Sequence, residues 1–186
     1  ITSLRGANGA KRLAVLSSGE NFNGKAGGRV HLFDLNSAYQ IGSRSVLPGT
    51  NNLSITGAAS SLSSTDFNHD GISDIVIGYC LAPDTGYNTQ VGGYAIAALD
   101  QNWQAIDSKF FRIPTNGIAT APEFLSSSKI GYKILSVDFD HDGQADIVAG
   151  AFGISGATLT QRVAGSIWTF RMKSTPWLHQ PASVIG

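Results

Sequence analysis

The sequence predicts an all-β protein of about three four-stranded antiparallel β-propeller blades, part of a larger propeller or completed by oligomerisation. Three observations predict it. Thr65–Gly78 and Val137–Gly150 nearly repeat each other 72 residues apart. The apolar runs are short, β-branched or aromatic, and bounded by Gly, Asn, Asp and Ser, as strands are and helices are not. Gly reaches 22 residues while charged residues make up only 14% against a typical value of about 25%, the balance of a turn-rich β chain.

The repeat extends past its aspartate-rich stretch. Gly93 and Gly165 each lie 19 residues beyond the last Asp of their stretch, in the similar runs Gly92–Ala97 and Ala164–Phe170. A worn third copy stands at the N-terminus, where Asn8–Leu16 aligns with Asp70–Gly78 and Gly27–Phe33 supplies the glycines. Three units follow, at 1–54, 55–129 and 130–186. The first is expected to hold strands at Ile1–Arg5, Leu13–Ser17, Arg29–Leu35 and Tyr39–Val46, its opening strand truncated. The second is expected to hold Ile55–Thr65, Asp74–Cys80, Tyr94–Leu99 and Ala105–Ile113, and the third Ile130–Phe139, Asp146–Phe152, Ser166–Arg171 and Trp177–Ile185. Small four-stranded units at this spacing bury their faces only against one another, which is how radial blades are built. Three blades do not close a ring.

Composition excludes several functions. Thirteen basic residues balance thirteen acidic ones, so no basic field is available for nucleic acid or an anionic membrane surface. No apolar run approaches the ~18 residues of a membrane helix, so no membrane insertion is expected. With Cys80 alone, neither an intrachain disulfide nor a multi-cysteine zinc site is possible. The start Ile1-Thr2-Ser3 reads as that of a processed or excised chain.

The sharpest chemistry lies in two nine-residue stretches that hold seven of the thirteen acidic residues. Oxygen side chains at positions 1, 3 and 5, a backbone carbonyl at 7 and a carboxylate at 9 can wrap one hard cation, and Gly at 6 permits the sharp turn. The first stretch offers Asp66, Asn68, Asp70 and Asp74 with the carbonyl of Ile72; the second offers Asp138, Asp140, Asp142 and Asp146 with the carbonyl of Gln144. All-oxygen donors in this number favour Ca²⁺, at two sites, over Mg²⁺ or Zn²⁺. An EF-hand needs Glu at position 12, where Ile77 and Ala149 stand, and flanking helices where strands are read. A metal-free Asp turn is the competing reading.

These residues resemble the FG-GAP repeats of integrin α-subunit propellers and bacterial surface proteins, also described as VCBS-like repeats. The loop pattern is well kept. The flanking Phe-Gly and Gly-Ala-Pro words are replaced by Ile130-Gly131 and Gly150-Ala151-Phe152 in the last unit, and by Ala58-Ala59 and Gly78-Tyr79-Cys80 in the middle one. The resemblance implies that each loop joins the first and second strands of a blade and that its calcium is structural. In the first unit Leu4, Gly6 and Asn8 fall at positions 1, 3 and 5 and Arg12 replaces the last Asp, so no metal is expected there. Arg12 is read as an exposed side chain, with bonding to nearby carbonyls as the alternative.

Other candidates carry less. His69 and His141, at loop position 4, are read as exposed; His31 and His179 have no matched acid or nucleophile. The runs Ser60–Ser64 and Ser126–Ser128 contain no Gly-x-Ser-x-Gly elbow or Ser/His/Asp set, and no catalytic apparatus is visible. Cys80 and Trp168 are read as core residues, and Trp103, in a polar run, as the better surface aromatic beside Trp177. Asn52-Leu53-Ser54 fits an N-glycosylation pattern, and the long connection Asp100–Lys129 has no assignable role. The expected function is therefore non-enzymatic: a calcium-stabilised extracellular or cell-surface binding or adhesion module for a protein or glycan ligand. Millimolar extracellular calcium would fill even sites of the ~10⁻⁴–10⁻³ M class. The alternatives are the non-catalytic propeller portion of a larger secreted enzyme, or a structural subunit completed by blades from the same longer protein or from other chains.

Overall fold

The computed structural model describes residues 1–18, 20–22, 25–47, 59–80, 92–112, 129–154, 164–172 and 181–185. Every regular element among them is a strand: β1 (Thr2–Arg5), β2 (Lys11–Ser17), β3 (Asn21–Phe22), β4 (Lys25–Ala26), β5 (Arg29–Leu35), β6 (Ile41–Val46), β7 (Ala59–Thr65), β8 (Asp74–Tyr79), β9 (Gly93–Leu99), β10 (Ala105–Arg112), β11 (Lys133–Val137), β12 (Asp146–Ile154), β13 (Ala164–Met172) and β14 (Pro181–Ile185). They form three four-stranded antiparallel sheets, ordered β1-β2-β5-β6, β7-β8-β9-β10 and β11-β12-β13-β14. The fold is all-β, in propeller-like blades. The unanticipated pair β3–β4 is a minimal hairpin within the connection from β2 to β5.

Alternation along β8 and β9 explains the packing. Ile75, Ile77, Ala95, Ala97 and Leu99 point to one side and join Leu4, Ala14, Val30 and Leu32 of the first sheet in one core. Val76, Tyr94, Ile96 and Ala98 point to the other and join Ile134, Ile147, Ala149, Trp168, Phe170 and Met172 of the third sheet in a second core. Both faces of the middle sheet are thus covered, which is why these strands read as unbroken apolar runs. Each large aliphatic or aromatic side chain so buried contributes roughly 1.5–3 kcal/mol. Tyr94 stacks on Phe111 with ring centroids 4.9 Å apart and meets Phe170 of the third sheet at 5.2 Å.

The first strands of neighbouring sheets lie side by side, joined by small hydroxyls. Thr2 and Ser64 meet Oγ1 to Oγ at 2.8 Å, and Ser63 and Ser136 meet Oγ to Oγ at 2.7 Å. Ser60 and Ser61 both donate to the carbonyl of Gly131 at 2.9 Å. Large side chains would hold these inner strands apart, so the serine run is a packing device.

Glycine closes the second seam. Gly92 and Gly131 both have φ of +90°, and a Cβ on either would run into the carbonyl of Ile130 or Gly93 respectively. The Gly93 N–H donates to Ile130 at 3.0 Å, so main chain meets main chain. This kink delays the start of the expected strand Ile130–Phe139: only Lys133–Val137 pairs along the sheet. The strand expectations at residues 55–58, 113 and 177–180 lie outside the described residues, as do Asn52–Ser54, Ser126–Ser128, Trp177 and His179.

Two readings of single residues are corrected. Trp103 is 5% exposed and belongs to the core between the first and second sheets. The polar run around it is a tight turn, with Asp100 accepting from the N–H groups of Asn102 and Gln104, while Trp103 at φ +62° turns its ring inward beside Gly6. His31 does have an acid: its Nε2 lies 2.7 Å from Glu20, and Arg44 faces its Nδ1 at 2.9 Å. Glu20 lies 11 residues earlier, outside the strand, where spacing gives no sign of the pairing.

Candidate metal centre

Each aspartate-rich loop joins the first strand of its sheet to the second: β7 to β8, and β11 to β12. Their backbones agree. His69 and His141 have φ of 58° and 60°, and Gly71 and Gly143 have 84° and 89°. Glycine at the sixth position takes the left-handed conformation at no steric cost, while histidine at the fourth is held there by the loop.

The hydrogen bonds repeat too. Asp66 accepts from the N–H groups of Asp70 at 3.1 Å and Gly71 at 2.8 Å; Asp138 accepts from Asp142 at 3.1 Å and Gly143 at 3.0 Å. The position-5 carboxylates of Asp70 and Asp142 accept from Ile72 and Gln144 at 2.8 and 2.7 Å. Position 9 is buried and double-tied. Asp74 accepts from Phe67 at 2.9 Å and Leu99 at 3.0 Å, and Asp146 from Phe139 at 3.2 Å and Met172 at 2.9 Å. The last carboxylate therefore fastens its loop to the third strand of the same sheet.

The loops differ in how far their carboxylates converge. Asp138, Asp140 and Asp146 each bring an oxygen within 4.8 Å of the others, the only such acidic group among the described residues. Asp140 Oδ1 is buried there with no hydrogen-bond partner, while its Oδ2 lies 3.3 Å from Arg171 Nε. Three converging carboxylates, one of which carries an unpartnered oxygen, suit a hard divalent cation. In the first loop Asn68 donates to Asp70 at 2.9 Å, turning its amide within the loop. Burial, the largest cause, pushes the Asp74 carboxyl up to about 7, with Asp70 and Asp66 raising it further against the two backbone N–H bonds. A compensating positive charge is what that site wants.

At the N-terminal copy, Leu4 is buried in the core and Asn8 caps the N–H of Ala10 at 2.9 Å, leaving no converging oxygens. Arg12 pairs with Asp34 at 2.6 Å and lies over the Trp103 ring at 5.3 Å. The arginine ties the two middle strands of the first sheet and covers a core tryptophan in place of bonding loop carbonyls.

One contributor was hidden from sequence reasoning. Gln144 enters the sequence pattern only through its backbone carbonyl, yet its side chain is buried and reaches across the seam to the other loop. Its Nε2 donates to the carbonyl of Phe67 at 3.1 Å, and its Oε1 lies 3.2 Å from His69 Nε2. The one available signal was the contrast between polar Gln144 and apolar Ile72 at the same loop position.

An FG-GAP repeat model matches residues 58–91, which contain the first loop and strand β8. This is the propeller repeat to which the loops were likened. No curated protein matches the chain.

Proposed function

We propose that the chain is a calcium-stabilised, non-catalytic binding or adhesion module of an extracellular or cell-surface protein, presenting a propeller surface to a protein or glycan. The observation that carries this reading is the convergence of Asp138, Asp140 and Asp146, with an unpartnered oxygen on Asp140, in a loop that repeats the backbone bonds made to Asp66, Asp70 and Asp74. Asp138, Asp140, Asp142 and Asp146 with the Gln144 carbonyl would hold one ion, and Asp66, Asn68, Asp70 and Asp74 with the Ile72 carbonyl a second. Bound calcium supplies there the positive charge that clustered carboxylates lack. The chain's own part is to pre-form the turn: the backbone bonds to Asp66 and Asp138 shape it, and Asp74 and Asp146 anchor it to the sheet.

A second reading, a segment completed by further blades of the same repeat in a longer protein, is favoured by the far face of the third sheet. There Leu135, Val137, Phe139 and Ile167 are exposed on one side. Contiguous apolar surface of this kind marks an interaction site.

Thermal unfolding in millimolar calcium and in excess chelator tests the first reading. A ligand ~100-fold above its Kd adds about 2.7 kcal/mol per site, so calcium should raise the melting temperature, and Asp140→Ala and Asp70→Ala should each forfeit part of the rise. An unchanged melt would remove calcium from the account.

A further inference from the structure

The two loops belong to different sheets, and Gln144 is the residue that joins them. Its backbone N–H is bound to Asp142 at 2.7 Å, so the main chain at this point is part of the second loop. Its side chain, in a residue 2% exposed, grips the first loop at two places. The donor arm holds the carbonyl of Phe67, whose own N–H is fixed by Asp74, and the acceptor arm meets His69. Phe67 and His69 flank Asn68, the position-3 oxygen donor. Between the first sheet and the first loop the seam runs through Ser73, a local contact of one residue: its N–H donates to the Arg5 carbonyl at 2.8 Å and its Oγ accepts from the Arg5 N–H at 3.0 Å.

We infer that the two loops bind divalent cations with positive cooperativity, and that the Gln144 side chain is the positioning residue that couples them. This rests on the calcium reading above. Ordering the second loop around an ion fixes the main chain of Gln144, because its carbonyl is a ligand and its N–H is tied to a ligand. A fixed Gln144 in turn holds the peptide before Asn68 and the side chain of the residue after it. The ordering cost of the first loop is then partly met before its ion arrives, and by linkage the effect runs equally in the other direction.

Calcium titration of the full chain by calorimetry tests this, with hydrogen exchange of the loop amides as a second readout. In the wild type, disabling the second loop by Asp140→Asn should weaken calcium binding at the first by about 5-fold or more, the lower end of ordinary coupling. It should also raise amide exchange at residues 68–72. In a Gln144→Met background, which keeps bulk and loses both polar arms, the same Asp140→Asn change should leave the first site's affinity within about 2-fold. Should Gln144→Met fail to fold, His69→Ala decides, since it removes only the acceptor arm at an exposed residue and should reduce the coupling at least twofold. Two sites that bind calcium independently in the wild type would overturn the coupling and leave the calcium reading standing. A wild-type chain that binds no calcium would overturn both.

Discussion

Phe67 and Phe139 occupy the same second position of the two loops, yet Phe67 is 1% exposed and Phe139 is 53% exposed. The difference is the neighbour. Phe67 is covered by the third sheet, whereas Phe139 faces away from the second. The relation extends along the sheet: Tyr94, opposite Gly78, is fully buried, while Ile167, opposite Gly150, is 71% exposed.

Truncation of these two phenylalanines should therefore differ in cost. Phe67→Ala should destabilise the chain by about 3–5 kcal/mol, and Phe139→Ala by less than about 0.5 kcal/mol. Urea unfolding of both variants in chelator measures this directly. Equal losses would mean that the far face of the third sheet is covered in solution.

Gly131→Ala should be among the most disruptive small changes, because it forces a Cβ both into a positive φ and against the carbonyl of Gly93. A loss of more than about 2 kcal/mol is expected, against roughly 1 kcal/mol for glycine replacement where only φ is at issue. Gly143→Ala is the control, since its φ is also positive but nothing stands within 4 Å of the added atom.

Asp146 and Asp140 should separate the structural from the proposed ion-binding role of the second loop. In excess chelator Asp146→Ala leaves the Met172 N–H buried without an acceptor, at about 1–3 kcal/mol, and the part-buried Phe139 N–H without one at a smaller cost. Asp140→Asn under the same conditions removes charge from a crowded carboxylate cluster and should be neutral or stabilising. Calcium should restore stability to neither variant as fully as to the wild type.

Acidification should act through Glu20. Its carboxyl is held below its ordinary value of 4.5, chiefly by the hydrogen bond from His31 and then by the charges of His31, Arg29 and Arg44, against a burial effect that raises it. A depressed carboxylate contributes stability that is full above its unfolded value and is lost as pH falls through the folded one. The melting temperature of the wild type should thus exceed that of Glu20→Gln near pH 6, and the gap should narrow below about pH 4.5.

Local features were legible in the chain. Strands β5, β8 and β9 fall within a residue of their expected bounds, because apolar runs closed by Gly and Asp are read without reference to anything distant. The place of each loop, between the first and second strands of its sheet, was legible for the same reason, since positions 1 to 9 lie in one stretch. What escaped depends on pairing across sheets. The landmark alignment set Tyr94 beside Ser166, but the strand register opposes Tyr94 to Gly78 and Ile167 to Gly150, a slip of one residue that exchanges faces. The side-chain contacts of Gln144 went unseen, and Trp103 was misread, because their partners, Phe67 and the first sheet, are far away in sequence.

The bonds from Leu99 to Asp74 and from Met172 to Asp146 span 25 and 26 residues. During synthesis, then, each loop leaves the ribosome well before the strand that completes it. Its ninth carboxylate has no fixed place until the third strand of the sheet has docked, and closing so long a segment is slow compared with forming a turn. An ion held in such a loop would act as a latch on a finished sheet and not as a nucleus for an unfinished one.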